Sequence, residues 1–150
     1  MMVDNHESGM SLIVKTITRL TIGLILLFGI YIVLHGHLSP GGGFAGGVIV
    51  ALAFVHLMLA FGKDALAAKI SKNMASNLES IGALMFLSIA LLGFLGGSFF
   101  LNILGKGKAF NLFSAGMIPL SNIAISLKVG VGLLAIFLAL VILEGTREEK

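Results

Sequence analysis

Apolar residues fall into four long blocks, at 12–34, 44–61, 78–101 and 120–143. The breaks between the blocks hold both prolines and five of the ten basic residues. Crossing the hydrocarbon core of a bilayer takes about 20 apolar residues as a helix, and each block is of that order. The pattern predicts an all-α integral membrane protein with four transmembrane helices in a single membrane domain spanning residues 1–150. The first block is too long for a signal-peptide core, and no small-x-small cleavage site follows it. The polar stretch before it, residues 1–9, reads as a tail, with Met10 a second candidate start.

Local signals refine these boundaries. Ser76-Asn77-Leu78-Glu79 has the form of a capping box and predicts the start of the third helix. Pro119 and Ser121-Asn122 stand where the fourth should begin, and Gly145 follows its last apolar residue as a C-cap would. Direction follows from the basic residues. Lys15, Arg19, Lys63, Lys69, Lys72, Arg147 and Lys150 fall on one side of the four blocks; Lys106 and Lys108 fall on the other. The positive-inside rule then predicts that both termini are cytoplasmic, and the segment HGHLSPGGG at 35–43 faces outward.

Composition agrees and narrows the function. Hydrophobic residues make up 57% of the chain and charged residues 11%, against roughly 25% charge in soluble domains; mean hydropathy is +1.07. These values predict a multi-pass protein of the cell membrane, with the lipid bilayer as its solvent. The absence of cysteine removes disulfides, thiolate metal sites and a cysteine nucleophile from this chain. A net charge of +3, scattered along the chain, carries no nucleic-acid footprint.

The candidate chemistry is sparse. Lys128 lies near mid-depth of the fourth block, where a lysine costs roughly 2.5 to 3.5 kcal/mol on insertion scales. It shares a helical row with Ala124, Gly132, Ala135 and Ala139, so it should face protein or a cavity. Glu144 is too far along the helix and Glu79 is placed at the cytoplasmic end of the third span, so neither suggests itself as its partner. Lys128 must then be neutral, or paired with a carboxylate outside this chain; it is a residue of an ion path or a tie between helices. His56 lies about 10 Å inside the membrane edge, in the row Gly42, Gly46, Ile49, Ala53, His56, Ala60. It is either a neutral imidazole bonded to a neighbouring helix or part of a proton relay. Glu79 is explained by capping, with an ion-path role as the alternative. His35-x-His37 alone is too weak a ligand set for a metal, and the histidines are not placed as a haem pair, so no metal or cofactor is expected. Gly42-x-x-x-Gly46 and Gly43-x-x-x-Gly47 suit close approach of another helix, Pro40 suits a first helical turn, and 108–119 reads as an interfacial segment or a docking surface.

The run Gly36, His37, Pro40, Gly41, Gly42, Gly43, Phe44, Gly46, Gly47, followed by an apolar helix, resembles the signature of the MnhB/MrpB family. A second similar stretch at 116–133 contains Lys128, and one departure is Ala45, where the family often carries glutamine. The family comprises small membrane subunits of multisubunit Mrp-type Na+/H+ antiporters and of the antiporter-like modules of membrane-bound hydrogenases and related archaeal respiratory complexes. The resemblance implies a non-catalytic membrane subunit that works with other antiporter-module subunits on Na+ and H+. Lys128, His56, His37 and Glu79 are then the ion-path candidates, and the glycine-rich run is a packing motif. The alternative is a purely structural subunit without ion contact.

Overall fold

In a computed structural model the described residues are 10–62, 71–105, 107, 108, 111 and 114–148. They form four long helices: α1 Leu12–Leu34, α2 Gly42–Phe61, α3 Lys72–Leu92 and α4 Ile118–Glu148. A 3-10 turn, Gly93–Gly96, extends α3, and no strand occurs among the described residues. All four helices are long and apolar enough to cross a membrane. The chain is an all-α multi-pass membrane protein.

Consecutive helices run antiparallel, and α4 is the hub. α2 and α3 both pack along α4, while α1 packs mainly on α2 and only lightly on α4. Two apolar clusters hold the hub. Val55 and Met58 of α2 meet Leu134 of α4, and Ile89 of α3 meets Met117 and Ala124 at the other end. The expected small-residue row on α2 is used inside the chain, since Ala53 and Ala60 are fully buried. Outward surfaces carry large aliphatic and phenyl side chains such as Leu24, Leu27, Leu84 and Leu140. Hydrocarbon solvates such groups without cost, so the surface fits lipid.

Several boundaries differ from expectation. α2 starts at Gly42 rather than Phe44, and Pro40 precedes the helix because Gly41 and Gly42, at φ +125° and +58°, turn the chain first. These angles are open to glycine and strained for other residues. α3 starts at Lys72, not Leu78. Its N-cap is Ser71, whose Oγ accepts from the Met74 N–H at 3.2 Å. The capping box at 76–79 is therefore not a helix start, because an earlier serine already satisfies a free N–H of the first turn. Residues 97–101 have left the helix: Gly97 is left-handed at φ +100°, so the third span ends by Gly96. α4 runs through Gly145 to Glu148; the Thr146-Arg147-Glu148 stretch includes good helix formers, and one glycine costs too little to stop it. Of the residues used to orient the chain, Lys63, Lys69, Lys106 and Lys150 lie outside the described residues. So does part of the 108–119 segment.

Candidate functional site

The most unusual chemistry lies on the seam between α3 and α4. Lys128 Nζ donates to Glu79 Oε1 at 3.0 Å. A glycine makes the approach possible. A Cβ added to Gly82 of α3 would lie 2.9 Å from the Lys128 backbone nitrogen and 3.0 Å from the Ala124 carbonyl oxygen. With no side chain there, the backbones close up, and Lys128 reaches a carboxylate on the neighbouring helix. On the α4 side, Gly132 also leaves room, its notional Cβ being 4.0 Å from the Glu79 carboxylate. The two charged side chains are 50% and 42% exposed.

This pair overturns two expectations. Glu79 does not cap α3, because the helix begins at Lys72 and places Glu79 two turns inside it. Lys128 does not lack a partner within the chain, because antiparallel packing of α3 on α4 brings Glu79 to it. The mistaken start of α3 had put Glu79 at the membrane edge; moving that start back about two turns carries Glu79 roughly 9 Å deeper.

His56 lies on a different seam. Its Nε2 is 3.3 Å from the Thr18 hydroxyl of α1, with Thr18 only 1% exposed. The hydroxyl donates when Nε2 is bare and accepts when Nε2 carries a proton, so the bond survives either tautomer. A threonine and a histidine thus satisfy each other between two helices.

At one end of the helices, the glycine-rich turn between α1 and α2 folds onto α4 around Asn122, which is 8% exposed. A Cβ on Gly36 would come 2.5 Å from Asn122 Nδ2, and one on Gly43 would come 2.8 Å from Asn122 Cα. The two G-x-x-x-G motifs are used differently. Gly43 and Gly47 both face α4, at Asn122 and Ser126, whereas the other motif is split, with Gly42 against Asn122 and Gly46 facing Gly29 and Val33 of α1. Phe44 is exposed, and Ser39 closes the turn by donating to the His35 carbonyl at 3.0 Å. His37 Nε2 lies 3.1 Å from the Asn111 carbonyl oxygen, which places the proton on Nε2. His37 Nδ1 and Asn122 Nδ2 are buried without a hydrogen-bond partner among the described residues. His35 stacks on Tyr31 at 4.2 Å. No group of three or more potential metal ligands occurs among the described residues.

The candidate residues therefore occupy three places. Lys128 and Glu79 come together, His56 pairs with Thr18, and His37 stands at the glycine-rich turn. Thr18, Gly82 and Asn122 were not anticipated as partners. Asn122 had been read only as punctuation at a helix start. Thr18 gave one usable signal, a hydroxyl at a span position near the depth of His56.

Comparison with known proteins sharpens the picture. Residues 13–135 match the family described as a domain related to the MnhB subunit of Na+/H+ antiporter. An uncharacterized protein of Methanocaldococcus jannaschii is 37% identical over 117 residues, covering 73% of this chain and 44% of that protein. A putative antiporter subunit mnhB2 of Staphylococcus saprophyticus is 45% identical over 49 residues, 33% of this chain and 35% of that one. The chain thus spans under half the length of these relatives. Among solved structures, a chain of the membrane-bound sulfane sulfur reductase, an archaeal respiratory membrane complex, superposes with a TM-score of 0.74 at 32% identity; the match covers 89% of this chain and 61% of that chain. On the match over residues 13–135, this chain belongs to the MnhB-related family.

Proposed function

We propose that the chain is a membrane subunit of a multisubunit Na+/H+ antiporter-type module and helps to form its ion path, with both termini cytoplasmic. The module stands alone as an antiporter or is built into a redox-driven respiratory complex, and the chain itself does no catalysis. One observation carries the reading. Lys128 and Glu79 form an ion pair deep inside the spans, and both charges are half exposed. An ion pair that served only to join two helices would sit inside the seam. One that opens sideways can exchange its partner for a proton, a water or a cation. His56 and His37 supply further titratable groups toward the two ends of the first hairpin. Partner subunits and the transported Na+ and H+ complete the path.

A structural role is the second reading, and the bond of Lys128 to Glu79 across two helices favours it. Lys128→Ala and Glu79→Gln in the whole complex separate the two. An ion-path role predicts an assembled complex with Na+-coupled transport lost in proteoliposomes. Assembly lost together with transport would make the pair a structural tie, and wild-type transport in both variants would remove it from the path.

A further inference from the structure

We infer that the flank of the α3–α4 seam bearing Glu79 and Lys128 seats a transmembrane helix of another subunit, which presents an uncharged hydrogen-bonding side chain at the level of the pair. This rests on the reading of the chain as one subunit of a membrane complex, and it names the surface and chemistry of the contact.

The two helices that carry the pair are apolar enough to cross a membrane, and their exposed residues include Leu84, Ile136 and Leu140. Lys128 lies about 4 Å from the middle of the Ile118–Leu143 span. Exposure at that depth is exposure to hydrocarbon, where a charge finds no solvation and no phospholipid headgroup reaches it. A polar cover is required.

Three features select the cover. The pair is neutral as it stands, so a third charge would be uncompensated in a low-dielectric site. The remaining needs are hydrogen bonds: an ammonium has three donors and Lys128 spends one on Glu79, while the carboxylate has lone pairs to spare. A serine, threonine, asparagine or glutamine meets both sides. The surface beside the pair is also low. Gly132 offers no side chain next to the Glu79 carboxylate, and Ala83 follows Glu79 one turn along α3. A helix backbone can come close there.

Two measurements on the intact complex test this. A diazirine side chain placed at Ala83 and irradiated in native membranes should form an adduct with a different membrane subunit. Lys128→Met and Glu79→Gln should each leave the complex assembled but lower the yield of that adduct about tenfold, because each leaves one charge alone against an uncharged side chain and loosens the contact, and the double variant should return to within about twofold of wild type. An adduct with lipid alone, or with a second copy of this chain, would overturn the proposal. So would a double variant that crosslinks as poorly as the single ones, since the partner would then carry a charge. Neither readout measures transport, so failure of the ion-path reading and failure of this contact are distinguishable.

Discussion

Glycine brings backbones together in two regions of this molecule, with different results. At the glycine turn between α1 and α2, Gly36, Gly43 and Gly47 fit against Asn122 and Ser126 of α4, and the junction is uncharged and closed. At the α3–α4 seam, Gly82 fits against Lys128 and Ala124, and the same close approach delivers two opposite charges to a half-open surface. The contact device is shared; what it carries is not. A packing motif alone therefore says that helices meet, and the side chain beside it decides whether the meeting is architecture or chemistry.

The largest effect that would test this contrast is expected at the glycine turn. Gly43→Leu should abolish assembly, because its Cβ would lie 2.8 Å from Asn122 Cα and backbone cannot retreat as a flexible side chain can. Overpacking of this kind costs about 1 to 3 kcal/mol even in milder cases. Ser39→Ala, two residues before the helix cap, loses a single side-chain bond to His35 and should leave complex yield nearly unchanged. Gel filtration of both variants checks the pair of outcomes. Equal yields would mean that the glycine junction tolerates bulk and that its resemblance to the seam is superficial.

A smaller and more selective effect is expected at the seam. Lys128→Arg retains the positive charge but not an easily lost proton. It should assemble, because a guanidinium can still pair with Glu79, yet recover only part of the transport that Lys128→Ala loses. Full recovery would show that charge alone matters there. Gly82→Val should resemble the alanine variant in transport, since a Cβ at 2.9 Å from the Lys128 nitrogen pushes α3 off α4.

The four helices were legible because long apolar blocks admit few other readings, and the glycine motif was legible because its spacing is local in sequence. The ion pair was hidden for a specific reason. Glu79 carries a capping-box pattern that matched a plausible helix start, while the true start at Lys72 is set by Ser71, which has no carboxylate three residues on. A shift of about two turns turned a partner well inside the span into an edge residue. Asn122 was hidden because its role depends on which glycines cross α4, which is a fact of tertiary packing. Thr18–His56 was half legible: a small-residue face left the histidine either a neighbouring-helix bond or a relay role, and Thr18 stands at a matching depth, but which face of α1 meets His56 is a fact of tertiary packing.

The start of α3 is itself testable. Ser71→Ala removes the side-chain acceptor for the Met74 N–H, and loss of an N-cap costs typically about 1 kcal/mol. A melting shift of that order is expected for Ser71→Ala, with none for Ser76→Ala. The reverse order would restore the helix start at 76–79 and move Glu79 back to the edge. Cysteine at Ser39 and at Ser71 reads orientation in the same experiment: the first should label from outside and the second only from the cytoplasm.

The smallest expected effect concerns His56, and it decides whether the α1–α2 seam belongs with the glycine turn or with the charged seam. The histidine has two separable properties, a hydrogen bond to buried Thr18 and a titratable ring. Thr18→Val deletes the bond and keeps the ring. Such bonds in membrane helices average about 0.6 kcal/mol, so a small loss of thermal stability is expected and assembly should hold. His56→Gln does the converse, because a glutamine can still meet the Thr18 hydroxyl but cannot carry a proton in exchange. If His56 contributes to the ion path, His56→Gln should lower transport while Thr18→Val leaves it close to wild type. Unchanged transport in His56→Gln, with a stability loss in Thr18→Val, would place this seam with the glycine turn as architecture and leave the Lys128–Glu79 seam as the place where close packing carries charge.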